Sequence, residues 1–208
     1  MQSVPPEEYV PSAAASRQPV VRGTPVERDA WERQYRNGEW DYLAGADEAG
    51  HYLAIARFCS RYLKHGALLD IGCGTGILPA YLHAHAGMAL ARYTGIDLAG
   101  EAVRRAATQF PEARFLQFDY SASSFPGRYD GVIFNETLYC FDQPLAIIDK
   151  CIAENTHAGS LLLISMYGDH HEAIWDAVGA RCDTLAEDVV ENARRNVRWK
   201  IRVLRPRA

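Results

Sequence analysis

The chain has 208 residues, 48% of them hydrophobic, which suits one globular domain with a core of its own. Its formal net charge of −4 argues against binding nucleic acid through bulk electrostatics, so no nucleic-acid partner is predicted. No apolar run approaches the roughly 20 residues that a membrane span requires, so no membrane partner is predicted either.

The cysteines are scattered and form no CxxC pair, at Cys59, Cys73, Cys140, Cys151 and Cys182. A disulfide framework or a zinc site is therefore not expected, and no other metal site is predicted. The N-terminus lacks a basic segment followed by an apolar one, so we expect no signal peptide. Reduced thiols in a cytoplasmic protein are the expectation.

Residues 1–25 hold five of the ten prolines, together with Ser, Ala and Gln, which is typical of a flexible tail. We expect deletion of residues 1–24 to leave ligand binding intact. Residues 26–65 predict two cap helices. The first places Trp31 and Tyr35 on one face, and the second repeats apolar residues at helical spacing from Tyr52.

Residues 66–208 alternate between short apolar runs and helical patterns, as in a doubly wound α/β core. Asp142 is the predicted N-cap of one helix, with Pro144 in its first turn. The predicted strands cover 67–72, 92–98, 113–119, 129–135 and 159–167, and the predicted helices cover 76–86, 100–110, 142–155 and 170–180.

The C-terminal segments break this alternation. Residues 197–203 alternate apolar and basic side chains at period two, which indicates a strand with one solvated face. Residues 182–192 supply its antiparallel partner through a turn at 193–196, and Glu187 and Asp188 are candidates to pair with the basic side chains. A binding surface made by the basic side chains is the less favoured alternative.

The segment LLDIGCGTGIL, residues 68–78, places Gly72, Gly74 and Gly76 between a strand and a helix. Glycines at the carboxyl end of a parallel strand open the backbone to a ligand. A dinucleotide fingerprint would need a third glycine where Ile77 stands, and a Walker-type loop would need a lysine. Both phosphate-binding interpretations are therefore weak.

The pattern Asp70-x-Gly72-x-Gly74-x-Gly76 resembles motif I of the class I S-adenosylmethionine-dependent methyltransferases, and the resemblance to this class extends over about residues 60–204. Within it, residues 134–144 and 199–206 resemble the bacterial small-molecule members. The resemblance implies a Rossmann-like sheet of seven strands, with S-adenosylmethionine as cofactor. It matches Asp97 to the acid that binds ribose and Asp119 to the acid near adenine. The expected cofactor-binding residues are Tyr35, Trp40, Asp70, Gly72, Cys73, Gly74, Asp97, Leu98, Asp119, Tyr120 and Asn135.

The methyl acceptor is expected to be a small molecule, methylated at oxygen or nitrogen. The loop after the fourth strand reads NETL and lacks the [DNS]-P-P-[YFW] motif of enzymes that methylate macromolecular amide or amino nitrogens. Small molecules that must lose a proton need a base. His170 or His171 is the first candidate, followed by His51 and then Glu136.

Two other functions stay open at this point. The first is a protein that binds the cofactor without catalysing a reaction and acts as a partner or regulator. A nicotinamide oxidoreductase is disfavoured by Ile77. The oligomeric expectation is a monomer or a homodimer.

Overall fold

In the computed structural model, which describes residues 21–207, six α-helices and seven β-strands alternate in the predicted order. The longest described helix has 14 residues, too few for a membrane span. The helices are α1 Arg28–Arg36, α2 Ala49–Tyr62, α3 Ile77–Ala86, α4 Gly100–Gln109, α5 Pro144–Asn155 and α6 Glu172–Gly179. The strands are β1 Leu68–Ile71, β2 Tyr93–Asp97, β3 Arg114–Gln117, β4 Gly131–Asn135, β5 Leu161–Tyr167, β6 Cys182–Asn192 and β7 Val197–Pro206.

The strands form one sheet in the order β3-β2-β1-β4-β5-β7-β6. The first five pair in parallel, whereas β7 runs antiparallel to both β5 and β6. The order reverses direction between β1 and β4, so the loops after these strands diverge and leave a crevice at the carboxyl edge. This topology confirms the predicted Rossmann-like class, including its C-terminal hairpin.

Apolar side chains cover both faces of the sheet, as a doubly wound fold requires. On one face, α2 and α3 pack against strand residues that include Leu68, Ile133 and Trp199. On the other, α5 and α6 pack against residues that include Leu69 and Phe134. Neighbouring residues of a strand therefore pack into the cores on opposite faces of the sheet. Because both faces are covered, the sequences of the buried strands are continuously apolar.

The hairpin follows the predicted alternation, because Trp199, Ile201 and Val203 are buried. Of the two acids proposed as partners for the basic side chains, Glu187 lies 2.5 Å from Arg202. Asp188 does not follow the prediction, since its partner is Arg57 of α2, at 2.7 Å.

One predicted helix cap needs correction, and a glycine sets the end of the first helix. The first cap helix ends at Arg36, because Gly38 at φ 73° turns the chain, and a 3₁₀ turn follows at Asp41–Ala44. Helix α5 has Gln143 at its N-cap, with Pro144 in its first turn as predicted. Asp142 is instead paired with Arg22 at 2.6 Å.

The predicted tail falls mostly on residues 1–20, which lie outside the described residues. Its last part, 21–25, runs along the loop that follows β4. The Gly23 N–H donates to the carbonyl of Asp142 at 3.2 Å, and the Thr24 N–H donates to the carbonyl of Tyr139 at 2.8 Å. This part of the tail is therefore held beside the crevice.

Candidate functional site

The glycine loop is shaped by contacts with the two neighbouring strand ends. The N–H groups of Gly72 and Cys73 donate to the carbonyl of Ile96 at 2.8 and 3.0 Å. At φ 80°, Gly72 has a conformation that side chains disfavour, and a Cβ there would lie 2.2 Å from Cγ2 of Thr137. The Thr137 hydroxyl in turn donates to the carbonyl of Ile71 at 2.7 Å. Glycine is thus required at position 72, because the backbone is left-handed there and because no room remains for a Cβ atom.

Asp97 ends β2 and holds the next part of the loop. Its Oδ2 accepts the N–H of Gly74 and its Oδ1 accepts the N–H of Ala99, both at 2.9 Å. Burial raises the pKa of Asp97 to about 6, although these backbone donors oppose the shift. Each carboxylate oxygen keeps a second lone pair, so the group can still accept hydrogen bonds from a diol.

Asp70 lies beneath the loop and is 1% exposed. Its Oδ2 accepts the hydroxyl of Tyr93, whereas Oδ1 is buried and has no hydrogen-bond partner among residues 21–207. Burial raises the pKa of this carboxyl to about 7. A buried acceptor without a partner is costly, so this oxygen suits a donor supplied by a ligand.

The crevice holds a cavity of about 550 Å³, within the range of small-molecule sites. The rings of Trp31, Tyr35 and Trp40 line it, with Trp31 and Trp40 centroids 5.3 Å apart. The Tyr35 ring lies 6.2 Å from Trp31 and 6.5 Å from Trp40. The cap region therefore contributes an aromatic wall to the cavity.

Glu136 lines the same cavity from the loop after β4. Its backbone is left-handed, at φ 61°, which is uncommon for a residue other than glycine. The Ser165 hydroxyl lies 2.5 Å from Oε1, and the Tyr139 hydroxyl donates to Oε2 at 3.1 Å. Burial raises the pKa of Glu136 to about 7, against the opposing effect of these hydrogen bonds. The carboxyl can therefore exchange a proton near neutral pH.

A second glutamate, Glu48, lies at the start of α2 and also lines the cavity. It is 4% exposed, and its carboxylate pairs with the guanidinium of Arg195 in the β6–β7 turn. Burial raises the pKa of Glu48, although Arg195 acts in the opposite direction. The ion pair joins the cap region to the hairpin across 147 positions of sequence.

The three candidate histidines do not line the cavity. His51 is 1% exposed, stacks on Trp199 with centroids 4.9 Å apart, and has its pKa lowered to about 3 by burial. His171 stacks behind Tyr139 at 4.4 Å, and burial lowers its pKa. His170 is exposed beside His171. Of the four candidate bases, the structure brings Glu136 alone to the cavity.

The residues expected to bind the cofactor all line this cavity, and their contact with a ligand stays a prediction. Cys73 is buried against Gly95, and burial raises its pKa, which agrees with a packing role for the thiol. Sequence reasoning did not single out Glu48, Arg195 or Thr137. Their segments carry no recognisable motif, and these residues reach the cavity only because elements that are distant in sequence pack together. The residues from the cofactor prediction that line the cavity are Tyr35, Trp40, Asp70, Gly72, Cys73, Gly74, Asp97, Leu98, Asp119, Tyr120 and Asn135.

A seven-stranded sheet with a reversed C-terminal hairpin and acids at successive strand ends defines a class I methyltransferase fold. The sequence profile of the methyltransferase domain family matches residues 33–206. The chain belongs to this family, which confirms the resemblance inferred from the glycine motif.

Curated relatives are also methyltransferases. A ubiquinone biosynthesis O-methyltransferase of Xanthomonas campestris pv. campestris is 36% identical over 141 residues, covering 62% of this chain and 56% of that protein. An uncharacterised methyltransferase of Mycobacterium bovis is 27% identical over 121 residues, covering 54% of this chain and 59% of that protein. The chain thus spans somewhat over half the length of these relatives.

Solved structures share the fold at low sequence identity. The N-methyltransferase NodS of Bradyrhizobium japonicum, in complex with S-adenosylhomocysteine, is 18% identical with a TM-score of 0.72, covering 87% of this chain and 98% of that one. The 1,6-didemethyltoxoflavin-N1-methyltransferase of Burkholderia thailandensis is 18% identical with a TM-score of 0.67, covering 87% of each chain. At this identity, the likeness concerns the fold.

Proposed function

We propose that the protein transfers a methyl group from S-adenosylmethionine to an oxygen or nitrogen atom of a small molecule. The observation that carries this proposal is a single cavity, which joins the glycine loop and the acids of the strand ends to the half-buried carboxyl of Glu136. Family membership supports the choice of methyl donor. The donor supplies a methyl group on a cationic sulfur, which leaves as a neutral thioether after in-line attack.

The residues around the glycine loop fit the donor chemically. The free Oδ1 of Asp70 suits the ammonium of its amino-acid part, because it is buried and lacks a partner among the described residues. Asp97 suits the ribose diol, since its carboxylate is already fixed by two backbone donors. Asp119 lies at the next strand end along the sheet and suits the adenine end.

The rest of the cavity suits positioning and the exclusion of water. The aromatic wall formed by Trp31, Tyr35 and Trp40 covers the donor side, and cationic groups are attracted to such ring faces. Methyl transfer depends largely on aligning the acceptor with the donor in a desolvated space. When the acceptor must lose a proton, Glu136 is the carboxyl in the cavity that we assign as base.

Similar proteins include a ubiquinone biosynthesis O-methyltransferase and a 1,6-didemethyltoxoflavin-N1-methyltransferase, which supports a small-molecule acceptor. We extend the proposal to a specialised metabolite or natural product as acceptor, without nucleic acid. We also propose a cytoplasmic location, because all five cysteines are free thiols. For the oligomeric state, we propose a monomer or a homodimer.

Calorimetric titration tests the proposal. S-adenosylmethionine and S-adenosylhomocysteine should bind the full chain with one-to-one stoichiometry, whereas NAD should not bind. A protein that binds NAD, or that ignores both methyl-donor forms, would refute the proposed function. Retention of donor binding with no turnover across a broad metabolite library would favour the non-catalytic alternative.

A further inference from the structure

The charges in the cavity point to the chemical class of the methyl acceptor. We infer that the acceptor is an amine, which binds as an ammonium ion against the carboxylate of Glu136. This inference rests on the proposed function and deepens it, because methyl transfer alone leaves oxygen and nitrogen acceptors equally open.

The lining of the cavity is strongly acidic. Its described residues contribute six carboxyl side chains and one basic side chain, Arg195. The carboxyl groups belong to Glu48, Asp70, Asp97, Asp119, Glu136 and Asp142. Such a lining repels an anionic acceptor and attracts a cation, because a narrow, partly desolvated space strengthens Coulomb interactions.

Three of these acids already have arginine partners. Glu48 pairs with Arg195. Asp119 lies 3.6 Å from Arg28, and Asp142 lies 2.6 Å from Arg22. Their charges are therefore largely compensated by the protein itself.

No lysine, arginine or histidine within residues 21–207 forms an ion pair with Asp70, Asp97 or Glu136. Asp70 and Asp97 belong to the glycine loop, where the methyl donor is proposed to bind. Glu136 is then the uncompensated acid left for the second substrate.

Glu136 is also placed beside the donor end. Its neighbour in sequence, Thr137, donates to the carbonyl of Ile71 at 2.7 Å and leaves no room for a side chain at Gly72. The left-handed backbone of Glu136 is a strain that the surrounding structure must sustain, and such strain is concentrated at functional positions. Hydroxyls of Ser165 and Tyr139 hold its carboxylate in one orientation.

The protonation chemistry favours an amine over a hydroxyl. An N–H proton of the ammonium passes to a carboxylate oxygen of Glu136, which leaves a neutral amine and a neutral carboxylic acid. This transfer removes two opposite charges from the cavity. With a hydroxyl acceptor, the same transfer moves the negative charge of Glu136 onto an alkoxide oxygen, which is a much stronger base than the carboxylate, so no pair of charges is removed and the step is less favourable.

The neutral amine then has a free lone pair for the displacement. The lone pair forms a bond to the methyl carbon while the carbon–sulfur bond breaks and its electron pair stays on sulfur. The product is a methylated ammonium ion, whose charge the carboxyl groups that line the cavity compensate. The proton on Glu136 returns to solvent when the product leaves.

A binding experiment tests this inference independently of turnover. The full chain is first saturated with S-adenosylhomocysteine, whose own affinity reports on the proposed function. Matched probes on two scaffolds are then titrated by calorimetry and ligand-observed NMR: 2-phenylethylamine against 2-phenylethanol and 3-phenylpropionate, and glucosamine against glucose. At least one amine should bind tenfold or more tightly than its uncharged or anionic counterparts.

Glu136→Gln should reduce that amine affinity at least tenfold, while S-adenosylhomocysteine affinity changes by less than threefold and so reports an intact fold. Glu112→Gln is the matched control, because Glu112 is exposed and lies outside the cavity lining, and it should change neither affinity. If S-adenosylhomocysteine binds but no amine does, or if amines and alcohols bind equally, the amine assignment is overturned. It is likewise overturned if Glu136→Gln leaves amine affinity unchanged. Failure of S-adenosylhomocysteine itself to bind would refute the proposed function instead.

Discussion

Replacing Asp97 by alanine tests how the strand-end acids contribute to donor binding. The carboxylate accepts two backbone N–H groups, from Gly74 and Ala99, each at 2.9 Å. An unsatisfied buried donor costs about 1–3 kcal/mol, and part of that cost is recovered where water replaces the carboxylate. Asp97→Ala should therefore lower the free energy of unfolding by about 2–4 kcal/mol.

The same change should weaken binding of S-adenosylhomocysteine. The lost diol contacts and the loosened loop together should cost about 1–3 kcal/mol, which is roughly a 5- to 150-fold increase in Kd. Calorimetric titration gives the Kd, and urea unfolding of the free protein gives the stability separately.

Asp130→Ala is the matched control for this experiment. Asp130 also accepts a backbone N–H, from Ala67 at 2.7 Å, but it precedes β4 and lies outside the cavity lining. Asp130→Ala should lower stability and leave the Kd unchanged. If Asp97→Ala binds S-adenosylhomocysteine like the wild type, or if both variants lose affinity equally, Asp97 has no specific place in the donor site.

Three further predictions concern the same loop and its surroundings. Gly72→Ala should destabilise the protein by at least about 2 kcal/mol in urea unfolding, because its Cβ would meet Thr137 at 2.2 Å in a left-handed backbone; an unaffected variant would contradict this. Burial raises the pKa of Asp70 to about 7, so its contribution to stability is present below about pH 4 and is lost as the pH rises through 7. Asp70→Asn should therefore gain roughly 1–3 kcal/mol of stability at pH 8 and much less at pH 5, while binding the donor more weakly; equal gains at both pH values would refute this. The hydrogen bonds of Gly23 and Thr24 to Asp142 and Tyr139 revise the expectation that removal of residues 1–24 leaves binding intact. Deletion through Thr24 removes these bonds, so it should weaken S-adenosylhomocysteine binding more than deletion through residue 20. Identical Kd values for the two deletions would contradict this prediction.

Local patterns in the sequence were sufficient for most of the fold. Short apolar runs predicted the parallel strands, period-two alternation predicted β7, and helical spacing predicted the helices, because these patterns follow from backbone geometry and burial. Where local rules failed, a tertiary contact decided the outcome. Asp142 has the chemistry of an N-cap, yet it pairs with Arg22, and Asp188 pairs with Arg57 from another element.

In the candidate site, too, some residues could be predicted from local patterns and others depended on tertiary packing. The grouping of the residues proposed for the donor around one cavity was predictable, because the glycine loop and the strand-end acids are fixed by their position in a parallel sheet. The choice among candidate bases was not predictable, because His51, His170 and Glu136 all lie in segments that a sequence can place near the crevice. Burial and the direction of each side chain, which packing decides, left Glu136 lining the cavity and the histidines outside its lining.

By itself, the sequence determined the family, the succession of strands and helices along the chain, and the position of the glycine loop. These depend on periodicity, glycine conformational freedom and the common edge of parallel strands. Only the tertiary structure decided which charges are compensated. Glu48 meets Arg195 across 147 positions, whereas Glu136 meets two hydroxyls. Such pairings arise from the packing of distant elements, for which no local pattern exists.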